Sequence, residues 1–309
     1  MAERLIADGH QVIVLDDLST GSMRNIAPLV DSADFDYRIG SVQDQLLVND
    51  LVGRTDMTIH FAAAVGVKLI VERPVHAIQT NYNGTEAVLK AAAAQSKKVL
   101  ISSTSEVYGK ANNVPFREDD DLLLGSTNVS RWSYGFSKAI DECLALAYWR
   151  ERGVPVIITR LFNAAGPRQT GHYGMVLPTF AAQAVRAQPV TVYGSGEQSR
   201  CFVHVRDVCE ALVRLIQAPA AIGEVFNIGS NDEISITRLA ELVRDCAGSR
   251  SQIVKIPYDV AYDGTFEDMQ RRVPDLGKLE HAIGYRPSTP LDHIIADVVA
   301  AARATRDEP

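Results

Sequence analysis

Val99-Leu100-Ile101-Ser102-Ser103-Thr104-Ser105-Glu106-Val107-Tyr108-Gly109 is an apolar run that ends in hydroxyls and one carboxylate. Aliphatic residues without polar alternation read as a strand buried on both faces, the habit of a parallel sheet. The polar end opens into a loop at the carboxyl edge of that sheet, where ligands bind in open α/β folds. The surrounding chain repeats the pattern: 12–16, 57–61, 99–102 and 154–160 read as strands, 77–95 and 134–152 as helices, with Gly153 as a C-cap. Alternation of this kind implies βαβ units. The predicted fold class is α/β, a doubly wound parallel sheet with a smaller C-terminal lobe. The texture changes near Gly166, where Pro167, Gly171, Gly174 and Pro178 break the alternation. Beyond them, 177–188, 236–247 (Ser235 as N-cap) and 291–303 read as helices and 190–193 as a short strand.

Two further segments point polar groups at the same sheet edge. Ser133-Tyr134-Gly135-Phe136-Ser137-Lys138 opens a helix with a tyrosine and a lysine four positions apart, hence on one face. An ammonium there favours the phenolate and lowers the tyrosine from its usual pKa of ~10, so Tyr134 can take a proton from a hydroxyl near neutral pH. Arg160-Leu161-Phe162-Asn163-Ala164-Ala165-Gly166-Pro167-Arg168 follows another apolar run, 154–159.

The chain has 309 residues, 46% of them hydrophobic, which allows a sizeable core and one to two domains. A formal net charge of −7 and the lack of a basic run argue against nucleic-acid binding. The four cysteines, Cys143, Cys201, Cys209 and Cys246, have no metal-ligand spacing and read as reduced thiols of a cytoplasmic protein. Neither a membrane span nor a signal peptide is expected. His172 and His204 read as structural.

Taken together, several ordered segments resemble the extended short-chain dehydrogenase/reductase family that modifies nucleotide sugars. They are Val14-Leu15-Asp16-Asp17-Leu18-Ser19-Thr20-Gly21, His60-Phe61-Ala62-Ala63-Ala64, Asn81-Tyr82-Asn83-Gly84-Thr85 and T-S-E-V-Y-G at 104–109. Tyr134 with Lys138, R-L-F-N at 160–163, Arg200-Cys201-Phe202-Val203-His204-Val205 and Arg272-Val273-Pro274-Asp275 complete the set. The resemblance implies a Rossmann-like domain over 1–165, with 201–229 returning to it. A nucleotide-sugar lobe would comprise 166–200 and 230–309. It implies NAD as cofactor, a UDP-sugar as substrate and a homodimer, with no metal.

Residue by residue, the resemblance makes Asp16 the ligand of the adenosine ribose, with Val42, Ala62, Lys68 and Asn81 along the cofactor. Ser41 stands where the family has an adenine-contacting aspartate. Thr104 and Tyr134 would be catalytic, and Lys138 would bind the nicotinamide ribose. Ser105 and Glu106 carry the reaction type: T-S-E resembles decarboxylases, although GDP-mannose dehydratases share it. Asn163 and Arg200 are expected along the diphosphate, Arg168 among the substrate-binding residues, Tyr193 near uracil and Arg272 near the sugar carboxylate. The expected reaction begins with C4 oxidation and is best read as decarboxylation of UDP-glucuronate to UDP-xylose. A 4-epimerase, a dehydratase and a sugar-nucleotide binder unable to hold NAD remain open. Family members open on a strand and a G-x-x-G-x-x-G loop, whereas Met1–His10 reads as the back half of the helix beyond it. Three expectations follow: a preceding strand and loop belong to the protein, the chain as it stands holds NAD weakly, and the sheet is open between 12–16 and 57–61.

Overall fold

The structure, a computed structural model, describes residues 1–171, 174–261 and 267–305, with only the backbone of residues 67 and 68. In chain order the first half contains α1 (Ala2–Ala7), β1 (Val12–Asp16), β2 (Phe35–Ile39), α2 (Gln45–Gly53), β3 (Met57–His60), α3 (Val67–Glu72), α4 (Pro74–Gln95), β4 (Lys98–Thr104), α5 (Ser133–Arg152), β5 (Val156–Leu161) and β6 (Ala164–Ala165). The second half contains α6 (Val176–Val185), β7 (Val190–Tyr193), β8 (Ser199–Cys201), β9 (Val203–His204), α7 (Val205–Gln217), β10 (Glu224–Ile228), β11 (Glu233–Ser235), α8 (Ile236–Cys246), β12 (Ile253–Ile256), α9 (Tyr258–Ala261), α10 (Gly277–Ile283) and α11 (Leu291–Ala304).

The central sheet is parallel, in the order β10-β5-β4-β3, with Met57 opposite Lys98 and Val99 opposite Val156. Side chains alternate across it with the strand period of two. Val99, Ile101, Val156 and Ile158 face Val88, Leu89, Ala92 and Ala145 of α4 and α5. Leu100 and Ile157 face Val208, Leu212 and Leu215 of α7. Helices therefore cover both faces, which is why β4 carries no polar alternation until its end. Burying a Leu or Ile of this kind stabilises by roughly 1.5–3 kcal/mol. α5 ends as its sequence predicts: Gly153 adopts φ +68° and its N–H reaches the Trp149 carbonyl at 3.1 Å.

β1 pairs with β2 in a separate parallel ladder, Val12 opposite Phe35. Among the described residues no ladder joins β1 to β3, so the sheet is open where the sequence reading placed an opening. β2 and α2 were not read from the sequence. A second apolar cluster gathers Leu177, Phe180 and Ala184 of α6, Val190 and Val192 of β7, Leu239 and Val243 of α8, and Ile294, Ile295 and Val298 of α11. Its strands pair as β7 with β12 and β8 with β11. Ser235 caps α8 by accepting from the Arg238 N–H. α7 and β10 lie on the central sheet, β10 pairing with β5.

Candidate active site

Three carboxyl-terminal strand ends and one helix start meet at a single edge. β4 runs on to Thr104, whose hydroxyl accepts the Glu106 N–H and so starts a 3₁₀ turn over Ser105–Tyr108. Tyr134 lies in the first turn of α5, packed with Ala64, Leu69, Ile70 and Ala77. Gly135 allows this approach, because a Cβ there would stand 2.9 Å from the Glu106 carbonyl oxygen. The Thr104 hydroxyl is close enough to the Tyr134 hydroxyl to favour its phenolate, against the larger effect of burial. Asn81 on α4 locks the arrangement: its Oδ1 accepts the Ala64 N–H at 2.8 Å and its Nδ2 donates to Ser137 Oγ at 2.9 Å. Its carboxamide thus joins the loop after β3 to α5.

The charge on Lys138 does not act as its spacing suggested. Lys138 Nζ donates to Asp141 Oδ2 at 2.8 Å, with both side chains almost wholly buried. Tyr134 is raised above its ordinary value, first by burial and then by the charges of Glu106 and Asp141. This reverses the expected direction. An i,i+4 lysine shares the tyrosine's face, but a carboxylate at i+3 holds its ammonium and leaves burial dominant.

Behind this pair, His60 at the end of β3 is buried, its Nε2 3.2 Å from Thr85 Oγ1. Burial, with Lys138 adding, pushes His60 from its ordinary 6.5 down to about 3. The unfolded chain takes up this proton on descending through 6.5, whereas the fold refuses it until about 3. The stability contribution is therefore complete above the unfolded value and is lost as pH falls through that window, at about 1.4 kcal/mol per pH unit. Denaturant unfolding of His60→Gln across this range should show a flatter acid limb than the parent. An equally steep limb would discard His60 as its source.

Beside Tyr134, three guanidinium groups face two carboxylates. Arg131, 2% exposed, donates to Glu106 Oε2. Arg272 Nη1 lies 3.4 Å from Glu106 Oε1 and 3.3 Å from Ser105 Oγ. Burial alone would raise Glu106, but Arg131, Arg272 and Arg200 override it and hold the carboxyl below its ordinary value. Arg272 is lowered to about 10, by burial and then by Arg200. Arg200 itself makes a two-pronged contact with Asp268, 2.9 Å to each oxygen, and Tyr258 donates to the same carboxylate at 3.0 Å.

The remaining sequence-predicted residues are spread around this centre. Asn163, at φ +37°, donates through Nδ2 to the Cys201 carbonyl. Tyr193 is 40% exposed at the end of β7. Arg168 is not brought to the arginine cluster: it pairs with Glu3 of α1 at 2.6 Å and donates to the Asn25 carbonyl. The short α1 carries an acidic residue opposite it, and that contact draws the side chain towards β1. Asp16 stands exposed at the end of β1, its Oδ1 accepting the Leu18 N–H, with the Gly21 backbone pressed against it. Val42 packs on Gly84 of α4, and Ala62 is exposed after β3. The Lys68 side chain and His172 lie outside the described residues. Asp141, Glu142 and Asp268 escaped the sequence reading. The first two carry a visible signal, acidic positions at i+3 and i+4 from Lys138, whereas Asp268 carries none.

A doubly wound sheet with a tyrosine–lysine helix at its carboxyl edge defines an extended short-chain dehydrogenase/reductase. The chain belongs to the family described as GDP-mannose 4,6 dehydratase, whose model matches residues 1–298. It is 38% identical to the UDP-N-acetyl-alpha-D-glucosaminuronate decarboxylase of Bacillus cytotoxicus over 289 residues, 93% of this chain and 88% of that one. It is 32% identical to UDP-glucuronic acid decarboxylase 1 of Danio rerio, covering 94% of this chain and 66% of the relative. The dTDP-glucose 4,6-dehydratase DesIV of Streptomyces venezuelae, solved with NAD, superposes with a TM-score of 0.89. That match is 28% identical and covers 98% of this chain and 93% of that one.

Proposed function

We propose that the chain is an NAD-dependent UDP-hexuronate decarboxylase, with UDP-glucuronate giving UDP-xylose as the simplest case. The single observation that carries this reading is the cluster beside Tyr134. There Arg131, Arg200 and Arg272 gather around Glu106 and Asp268. Clustered guanidinium groups suit anionic oxygens, and a hexuronate brings a carboxylate as well as its diphosphate. The decarboxylase relatives support the same reading.

The residues present fit NAD. Asp16 offers an exposed carboxylate at the strand end for ribose hydroxyls, Val42 and Ala62 would line the cofactor beside it, and Lys138 keeps donors beyond the one given to Asp141. Bound NAD supplies removal of the C4 hydrogen as hydride and its later return. Tyr134, oriented by Thr104, takes the C4 hydroxyl proton. The C4 ketone then lies β to the C6 carboxylate, so the C5–C6 bond breaks to release carbon dioxide and its electron pair remains as an enolate. Protonation at C5 and reduction at C4, with Tyr134 returning its proton, give the UDP-pentose. Arg272 and Ser105 would hold the carboxylate, with Glu106 between the arginines. Arg200 and Asn163 would hold the diphosphate, Arg200 exchanging Asp268 for phosphate oxygens. Tyr193 would face uracil, and Arg168 the cofactor end of the cleft. The nucleotide-sugar lobe is assigned to 166–200 and 230–309.

Incubation with UDP-glucuronate and with its 2-acetamido analogue, followed by mass spectrometry, tests the reading. Loss of carbon dioxide from one of them is expected. An isomer of unchanged mass would replace it with 4-epimerisation, and loss of water with dehydration.

A homodimer belongs to the same proposal. Val75 and Ile78 on α4 and Phe136 and Ile140 on α5 are exposed large apolar side chains at helical spacing. A second copy covering them would bury a helix-pair face of the kind found at dimer interfaces. Ile140→Glu should convert a dimer to a monomer in sedimentation equilibrium, and a parent that already sediments as a monomer removes the idea. No helix among the described residues is long and apolar enough to cross a membrane. A cytoplasmic location accords with soluble NAD and nucleotide-sugar reactants.

A further inference from the structure

We propose that Asp141 is a positioning residue of the reaction, anchoring the Lys138 ammonium and, through Thr85 and His60, tying the Tyr134–Lys138 pair to the end of β3. The inference rests on the reading above, in which Tyr134 and Lys138 carry the proton transfer.

Four buried polar side chains from three elements form one line. Lys138 Nζ and Asp141 Oδ2 are 2.8 Å apart on α5, with side chains 2% and 0% exposed. Burial raises the Asp141 carboxyl above its ordinary value, and Lys138 and then the fully buried Thr85 hydroxyl on α4 oppose that rise. Asp141 Oδ1 has no hydrogen bond of good geometry. His60 from β3 closes the line at Thr85. The other charged groups around it are occupied or face the phenol. Glu142 is bonded to Arg160 and Ser103. Glu106 in the Ser105–Tyr108 turn and Arg131 in the turn just before α5 act on Tyr134.

A helix that merely covered a sheet would need none of these groups. Alanine or leucine at 138 and 141 would pack the same face without desolvating two charges. What the carboxylate does is electrostatic and geometric. It holds the ammonium a turn away from the phenol, and its own charge disfavours the phenolate. Without that charge, the Lys138 ammonium on the same helix face stands uncompensated and favours ionisation of the phenol. The line therefore raises the pH at which the phenol ionises and fixes the direction in which Lys138 points.

The test is Asp141→Asn in the full chain, read two ways. The first is ultraviolet titration of tyrosinate, taken as the difference from Tyr134→Phe. The second is the pH dependence of kcat/KM with the UDP-hexuronate that is turned over. One tyrosine titration and the acid limb should both move to lower pH by about one unit or more. At the optimum, kcat should fall about tenfold while KM for the sugar nucleotide stays near the parent value. Asp141→Glu, which keeps the charge, should restore the parent limb. Thr85→Val removes only the hydroxyl that supports the carboxylate, and should move the limb the same way by a smaller step. A folded Asp141→Asn protein with neither titration moved would overturn the proposal. Should that variant not fold, an unmoved limb in folded Thr85→Val would do the same. If no UDP-hexuronate is turned over, the functional reading fails, whereas the tyrosinate titration still decides the role of Asp141.

Discussion

Tyr134→Phe should leave a folded protein that binds UDP-sugar and turns it over at least about a thousandfold more slowly, the scale of a lost general acid–base group. The ring packs against Ala64, Leu69, Ile70 and Ala77, and phenylalanine keeps all of that contact. Only the hydroxyl is lost, together with its contact with Thr104. One neutral hydrogen bond contributes about 1 kcal/mol, so the melting temperature should change by a few degrees at most. The cations assigned to the substrate, Arg200 and Arg272, are untouched by the change, so calorimetric affinity for the nucleotide sugar should survive. Product formation followed by mass spectrometry reads the rate. Residual turnover above a tenth of the parent would remove Tyr134 from the proton transfer.

That expectation was legible because it rests on local order. The tyrosine, the lysine and the helix that carries them lie within one apolar-periodic stretch. The hydroxyl-rich end of β4 follows a run made continuous by helices on both faces. Less was legible where tertiary packing chooses the partner. β2 alternates charged Asp36 and Arg38 with Phe35 and Tyr37 on an edge of the sheet, so no buried run announces it. Arg200 reads as a phosphate ligand, yet it meets a carboxylate 68 residues further on. The lysine's neighbour at i+3 was visible in the sequence, but its effect on Tyr134 depends on both side chains being buried, and spacing alone does not carry that. Arg168 depends in the same way on α1, which brings Glu3 to it across 165 residues.

The largest expected loss of stability comes from Glu142→Ala. Glu142 and Arg160 form a buried pair, each 6% exposed, with Arg160 Nε and Nη2 both on the carboxylate. Ser103 donates to the same carboxylate, and Arg160 Nη1 continues to the Tyr108 hydroxyl and the Glu118 carbonyl. Tyr108 in turn donates to Asn227 on β10. The network therefore joins α5 and β5 to the turn that presents Glu106. Burial would lower Arg160, yet Glu142 and then Tyr108 hold it above its ordinary range. A guanidinium is effectively always protonated, so Arg160 stays charged when its partner is removed. An uncompensated buried guanidinium costs about 3–5 kcal/mol, a large part of the ~5–15 kcal/mol that holds a domain together. Because the damage lies in desolvation, removing both charges should cost less than removing one: Glu142→Leu with Arg160→Met should recover much of the loss. Urea unfolding of the parent, Glu142→Ala, Arg160→Met and the Leu/Met double variant separates the two accounts. If the double variant is as unstable as the sum of the single changes, the pair contributes contacts independently and the charge argument is wrong. If it recovers, the charges themselves are dispensable to folding, and the hydrogen bond from Arg160 to Tyr108 would then serve to place the Ser105–Tyr108 turn. A larger fall in turnover than in stability for that double variant would show it.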